Sequence, residues 1–458
     1  MNLWFLTEEK PKISTLWQIL NLYCRDFESE FQSDKKDAKI KPLFSNNKFT
    51  FTYLFENVSV SGINNIYIKT VSGSSSFFDF LLFKQEQEPA DGCMDNLLMA
   101  IEETKTSDDE SRNTGVYQRG SKFVHIKSFS KEVKLYMLYN DELGERTEKT
   151  PSCTSIFGTN ILLTLGVEIV GKSIKGRFRP FASIDELIQF KSNMRKPPAG
   201  NVPISITKKG DTIFVSGRLS KPANEGNIGH DPNIGALSMI SACIRKLGWC
   251  GDIVITMHGV SQKYAKKNRS NKFFHIARAL GVKLDDITFE TASLPEKYWK
   301  YEKNSEKVAS ILLHIVAEYC DMREVYQNHA GCERGYFKTK SGRLIVLPKK
   351  DSGGVLNLYL PDLVLSDVDG LLVLLIEGKQ LKTLSAGLNE IKHYDSIENE
   401  YINKYYPGAK TERWLSIFGG NKTEIPHEKV LLYLTDCGAI YINDDAPDCV
   451  KQAFSKFV

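Results

Sequence analysis

Long hydrophobic runs are missing from this 458-residue chain. No apolar stretch approaches the roughly 20 residues that a membrane-spanning helix needs, so no such helix is expected. The opening MNLWFLTEEKPK lacks the charged-then-apolar plan of a secretory signal. The nine cysteines include no C-x-x-C pair, which excludes the usual zinc knuckle and gives no sign of a disulfide framework. A reducing, cytoplasmic setting is therefore expected. Walker A and H-E-x-x-H sequences are absent too, so neither ATP-driven translocation nor a zincin site is expected. Charge of one sign is also scarce. The net charge is only +4, so any affinity for nucleic acid has to come from local patches rather than a global field. What remains is an ordinary globular composition, 41% apolar and 25% charged, long enough for two or three domains.

Periodicity supplies the coarse plan. Residues 14–31 carry Leu16, Ile19, Leu20 and Tyr23 at helical spacing, and 49–71 read as extended. The apolar stretch 158–171 reads equally as helix or strand. The basic, Pro- and Gly-rich segment 191–203 is the best linker. Beyond it, strand 212–215, helix 233–247, strand 253–257, helix 272–280 and strand 287–289 alternate as βαβαβ, which implies a parallel, two-sided unit. Pro232 suits a first helical turn, and such a helix start can receive a phosphate. The connection 262–272, QKYAKKNRSNK, holds Lys263, Lys266, Lys267, Arg269 and Lys272 around Tyr264. Most charge runs are merely solvated, but this is the densest basic patch in the chain and a candidate DNA contact. His230 beside Asp231, and His258, read as turn or core residues; His125-x-Lys127 resembles half of a phospholipase-type nuclease motif, but Glu132 stands where the later aspartate is expected and no second copy occurs.

The stretch PDLVLSDVDGLLVLLIEGK, residues 361–379, organises the rest. It reads as two strands joined by a tight polar turn, the second being a continuous apolar run suited to burial on both faces. Asp362 opens the first strand; Glu377 and Lys379 close the second, two residues apart and so on one face. A hairpin brings two carboxylates and one ammonium to a common rim. Carboxylate oxygens suit Mg²⁺, and a lysine beside them can orient or deprotonate an attacking water.

Pro361-Asp362, fourteen residues, then Glu377-Gly378-Lys379 resembles the PD-(D/E)XK motif of the restriction-endonuclease-like nucleases. Its surroundings follow the same plan: a helix at 305–320 before it, a longer helix at 384–405 after it, then strands at 414–418 and 430–434. Asp79, twenty-three residues, then Glu103-Thr104-Lys105 resembles a second such array, without the proline and with a longer connection. The sequence leaves open whether Glu102 or Glu103 faces inward; Glu103 is preferred because it shares a face with Lys105. The stretch EETKTSDDESRN resembles the motif region of some type II restriction enzymes and places Arg112, Gln118 and Arg119 near the rim.

The resemblance implies an α/β protein with restriction-endonuclease-like mixed-sheet cores flanked by helices, divided as 1–190, 191–300 and 301–458, with the βαβαβ region between two cores. It implies Mg²⁺-dependent, sequence-specific hydrolysis of double-stranded DNA, with Asp362, Glu377, Asp79 and Glu103 as metal ligands and Lys379 and Lys105 positioning water. Glu318 or Glu324 is expected to add a further acid to the C-terminal site. One active site per strand is the reading of the repeated pattern, in a monomer or homodimer, with a companion DNA methyltransferase in the cell. The alternatives are a repair or transposition nuclease of the same superfamily, or a DNA-binding protein with an inactive core.

Overall fold

The computed structural model describes every residue except 74–76, 105–114, 141–151, 173–175, 195–203, 220–227, 270, 289–296, 303–304, 329–333, 349–358 and 458. Two compact units result: unit 1 combines Met1–Val71 with Tyr301–Val458, and unit 2 is Ser72–Lys300. The segments 1–190, 191–300 and 301–458 do not coincide with these units. Local periodicity identifies an element but not the distant element it packs against.

Unit 1 begins with β1 (Asn2–Thr7), α1 (Ile13–Asp26), β2 (Lys39–Ser45), β3 (Lys48–Glu56) and β4 (Ile66–Gly73). β2, β3 and β4 run antiparallel to one another in turn, and β4 lies parallel to β1. The chain then builds unit 2: β5 (Phe80–Gln85), β6 (Leu97–Thr104), α2 (Gly115–Ile126), β7 (Lys134–Tyr139), α3 (Cys153–Thr164), β8 (Val167–Val170) and α4 (Ile184–Asn193). The ambiguous stretch 158–171 thus divides, helix first and strand second. β5 is antiparallel to β6, which is parallel to β7, which is parallel to β8.

A second sheet in unit 2 contains β9 (Ser205–Lys209), β10 (Thr212–Ser216), β11 (Asp252–Thr256) and β12 (Val282–Leu284), in the order β12-β11-β10-β9. Between them lie α5 (Pro232–Lys246), α6 (Gln262–Lys267) and α7 (Lys272–Ala279). The β10-α5-β11-α7-β12 crossovers are parallel, as the alternation predicts. The third strand of the alternation is Val282–Leu284, to which Ile287 adds an isolated antiparallel bridge at Leu284; of the expected strand 287–289, residue 289 lies outside the described residues. Asp231 caps α5, accepting from Asn233 N at 2.9 Å and Ile234 N at 3.3 Å, with Pro232 in the first turn.

After β13 (Trp299–Tyr301) the chain completes unit 1 with α8 (Lys307–Tyr319), β14 (Arg323–Gln327), β15 (Arg334–Lys338), β16 (Leu344–Pro348), β17 (Leu363–Ser366), β18 (Leu372–Gln380), α9 (Leu384–Glu390), β19 (Lys410–Phe418), β20 (Val430–Leu434) and β21 (Ile440–Ile442). The sheet order is β14-β17-β18-β19-β20-β21. β18 lies at its centre, antiparallel to β17 and parallel to β19. Val373, Leu374, Leu375 and Ile376 are all fully buried, which is why the run does not alternate. The predicted helix 384–405 is broken into short turns after α9, including a π turn at Glu398–Ile402. Arg413 of β19 accounts for part of the break: its Nη1 donates to the Ile391 and Lys392 carbonyls at 3.0 and 3.2 Å. Among the described residues, no helix is long and apolar enough to cross a membrane.

Candidate functional site

The β17–β18 hairpin sets the site. Its turn is fixed by Asp367, whose Oδ1 accepts from Leu371 N at 2.8 Å and Leu372 N at 3.0 Å. Gly370 supplies the left-handed residue at φ +63°. Leu363 pairs with Ile376, so the next position outward sets Asp362 opposite Glu377. Gly378 N donates to Asp362 Oδ2 at 3.0 Å, and the Asn328 side chain donates to the same carboxylate. Gly378 leaves room for this approach. A Cβ there would lie 2.5 Å from Ser310 Oγ of α8 and 3.3 Å from Asp362 Oδ2.

Glu377 is only 5% exposed. Burial first, and then the Asp362 charge, push its carboxyl up to about 8. Burial likewise raises Asp362, opposed by the Gly378 N–H and by Lys379. The Lys379 ammonium donates to Glu377 Oε1 at 2.5 Å and pairs with Glu390 Oε2 at 2.9 Å. Burial alone would lower Lys379, but these two carboxylates outweigh it and hold the group above the ordinary lysine range. Tyr394 OH donates to Glu377 Oε2. Glu306, just before α8, is raised by burial and feels the charges of Lys379, Asp362 and Glu390.

Asp362, Glu377 and Lys379 therefore converge at one end of the central strand. Glu390, Tyr394, Glu306 and Asn328 join them, and sequence reasoning missed all four. Glu390 and Tyr394 follow Lys379 on the next helical segment, where only the docking of that segment aims them inward. Two hard carboxylates forced together in a partly desolvated place, with two further acids beside them and one lysine, fit a divalent cation such as Mg²⁺.

Glu318 and Glu324 do not join this group. Glu318 lies twelve residues beyond Glu306, about 18 Å along α8 at 1.5 Å per residue. Both acids turn to the buried His314, whose Nε2 is 3.3 Å from Glu318 Oε1 and 2.9 Å from Glu324 Oε2. These three side chains could hold a metal ion by proximity. Lys10 also pairs with Glu318, so that carboxylate already has a lysine partner. Burial raises both acids, but His314 and Lys10 outweigh it; Glu318 falls to about 2 and Glu324 below the usual range. The arrangement is a polar network joining the N-terminal segment to α8 and β14.

In unit 2, Asp79 precedes β5 and Glu103 lies near the end of β6. Glu103 N donates to Asp79 Oδ2 at 2.6 Å, while the Glu103 carboxylate accepts from Asn140 Nδ2 at 2.6 Å. Its neighbour Glu102 is the buried acid, 2% exposed, with Lys122 Nζ at 2.7 and 2.8 Å from its two oxygens and Arg119 Nε at 3.8 Å. Burial first, and then Asp79, push Glu102 up to about 7. Lys105 and Arg112 lie outside the described residues.

Of the basic patch, Lys263, Lys266, Lys267 and Arg269 are exposed, on and just after α6. Ser261 caps that helix by accepting from Tyr264 N at 3.1 Å. Lys272 is not on that surface. It begins α7 behind the Asn271 cap and is 7% exposed, and burial pushes its ammonium down to about 7. No protein-family model, no curated protein and no solved structure matches the chain.

Proposed function

We propose that this chain is a sequence-specific DNA endonuclease, resembling type II restriction enzymes, that hydrolyses phosphodiester bonds with Mg²⁺ at Asp362, Glu377 and Lys379. The observation that carries the reading is the cross-strand pair Asp362–Glu377 with Lys379 on the same strand end, two acids and one ammonium within mutual reach. Asp362 and Glu377 would hold the cation. When bound, Mg²⁺ supplies Lewis acidity toward the attacking water and neutralises charge on the phosphate oxygens.

The chain's own residues divide the remaining work. Lys379 is held protonated by Glu377 and Glu390, so it orients water and attracts phosphate rather than acting as a base. Gly378 and Asn328 fix the Asp362 carboxylate by hydrogen bonds, and Tyr394 fixes that of Glu377. Water adds to phosphorus and loses a proton, the bond from phosphorus to the 3′ oxygen breaks, and that oxygen takes a proton. The products are a 5′-phosphate and a 3′-hydroxyl. The exposed Lys263, Lys266, Lys267 and Arg269 supply charge for the DNA backbone. A companion methyltransferase in the cell would protect host DNA.

Digestion of a sequenced plasmid with Mg²⁺, with the ends mapped, tests the reading. Cuts at a fixed sequence, abolished by EDTA and by Glu377→Gln, are expected. Undiminished cutting in EDTA would overturn the carboxylate–metal mechanism. Cuts placed by DNA structure rather than sequence would favour a repair or transposition role.

A further inference from the structure

Two hairpins in this chain are built alike. In unit 1, Leu363 pairs with Ile376, setting Asp362 opposite Glu377; in unit 2, Phe80 pairs with Ile101, setting Asp79 opposite Glu102. In each, the backbone N–H after the glutamate donates to Oδ2 of the aspartate, from Gly378 at 3.0 Å and from Glu103 at 2.6 Å. Each second strand then lies parallel to the strand that follows a helical segment, and that strand lies parallel to the next one. The strand ladder thus assigns Glu102, not Glu103, to the place of Glu377. Burial agrees, at 2% exposed for Glu102 and 5% for Glu377.

The lysine position differs. Two residues after Glu377 stands Lys379; two residues after Glu102 stands Thr104, which carries no charge. An ammonium is nevertheless at Glu102, brought by Lys122 from α2. One turn earlier on the same helix Arg119 faces the same carboxylate.

We infer that unit 2 holds a second divalent-cation and phosphate site made of Asp79, Glu102 and Lys122, in which the helix supplies the cationic side chain that the strand supplies in unit 1. The inference rests on the nuclease reading for its substrate class, one DNA strand, but the ligand assignment stands on the strand register. A purely structural Glu102–Lys122 pair would require no second acid opposite Glu102; Asp79 is that acid, held by a hydrogen bond from the backbone. Lys122 and Arg119 offset part of the acid charge here, whereas one lysine faces Asp362, Glu377 and Glu390 in unit 1. The unit 2 site therefore binds a cation more weakly.

Calorimetric titration of the full chain with Mn²⁺ provides a readout that does not need cleavage. Two classes of site are expected, the tighter lost in Glu377→Gln and the weaker in Glu102→Gln, with Glu103→Gln keeping both. Asp79→Asn retains the acceptor for Glu103 N and should also lose the weaker class, which covers the case in which Glu102→Gln does not fold. On supercoiled plasmid with Mg²⁺, Glu102→Gln and Asp79→Asn should accumulate nicked circles and linearise at least tenfold more slowly, while Glu103→Gln linearises normally. A wild-type chain with one class of Mn²⁺ site, or a folded Asp79→Asn chain with both classes retained, overturns the inference. Failure of the wild-type chain to cut any plasmid, with both Mn²⁺ classes present, overturns the nuclease reading and leaves the second cation site standing.

Discussion

Replacing Gly378 with alanine adds one methyl group at the tightest point of the unit 1 site. The new Cβ would sit 2.5 Å from Ser310 Oγ, 0.9 Å closer than the 3.4 Å at which ordinary van der Waals spacing begins, and 3.2 Å from the Glu306 carbonyl oxygen. Ser310 Oγ is the main obstruction, buried where a displaced hydroxyl has to push on its neighbours; the Glu306 carbonyl, at the longer distance, needs only a few tenths of an ångström. Overpacking of this kind costs about 1–3 kcal/mol. For a unit of this size that is roughly 2–12 °C in melting temperature. Ser310 Oγ is buried and has no hydrogen-bond partner among the described residues, so Ser310→Ala alone should change the melting temperature little. Combined with Gly378→Ala it should recover much of the loss, because it removes the closer of the two obstructing atoms. The assay is thermal unfolding of the four chains by circular dichroism, with plasmid cleavage measured alongside. A Gly378→Ala chain that melts with the wild type, or a double variant no better than the single one, refutes the packing argument and the placing of α8 against the Asp362–Glu377 strand end.

Three further outcomes are expected. Tyr394→Phe removes the hydroxyl that donates to the buried Glu377 and should cost about 1–3 kcal/mol in urea unfolding; an unchanged midpoint would show that the carboxylate finds another donor. Glu318 and Glu324 have folded pKa values below their unfolded ones, so their contribution is present above the unfolded range near pH 4.3 and drains as pH falls toward about 2. Acid titration followed by near-ultraviolet dichroism should therefore show less loss between about pH 5 and 2 in Glu318→Gln than in the wild type. Replacing Lys266, Lys267 and Arg269 with alanine should weaken DNA binding and lower the slope of log affinity against log salt by up to about 0.9 for each phosphate no longer neutralised; identical slopes would mark the patch as solvated only.

Some of this was legible in the sequence and some was not, for physical reasons. The continuous apolar run ending at Ile376 and the acids at the ends of its hairpin are local signals, and they locate Asp362, Glu377 and Lys379. The capping pair Asp231–Pro232 likewise marks the start of α5. Glu102 and Glu103 are adjacent acids near a strand end, and residue parity says only that they face opposite ways. Which face is inward depends on the register of β5 against β6, which shifts between Leu82 and Phe83. Lys272 belongs to the basic run by composition, yet the Asn271 cap starts a helix there and turns Lys272 inward. Glu390, Tyr394 and Glu306 reach the site through the docking of helical segments, to which no spacing rule applies.

The discontinuity of unit 1 has a consequence for synthesis. Residues 1–71 emerge first, but many of their partners lie beyond residue 300: Lys10 needs Glu318, Glu56 needs the Tyr319 hydroxyl, and Phe49 N needs the Gly438 carbonyl. At about 5–20 residues per second, the ribosome takes roughly 10–45 s to make the intervening unit 2. For that interval the first strands and α1 wait without the side chains that complete their packing, while unit 2, continuous in sequence, can fold. The Asp362–Glu377 centre therefore has its full set of residues only after all of unit 2 has been synthesised.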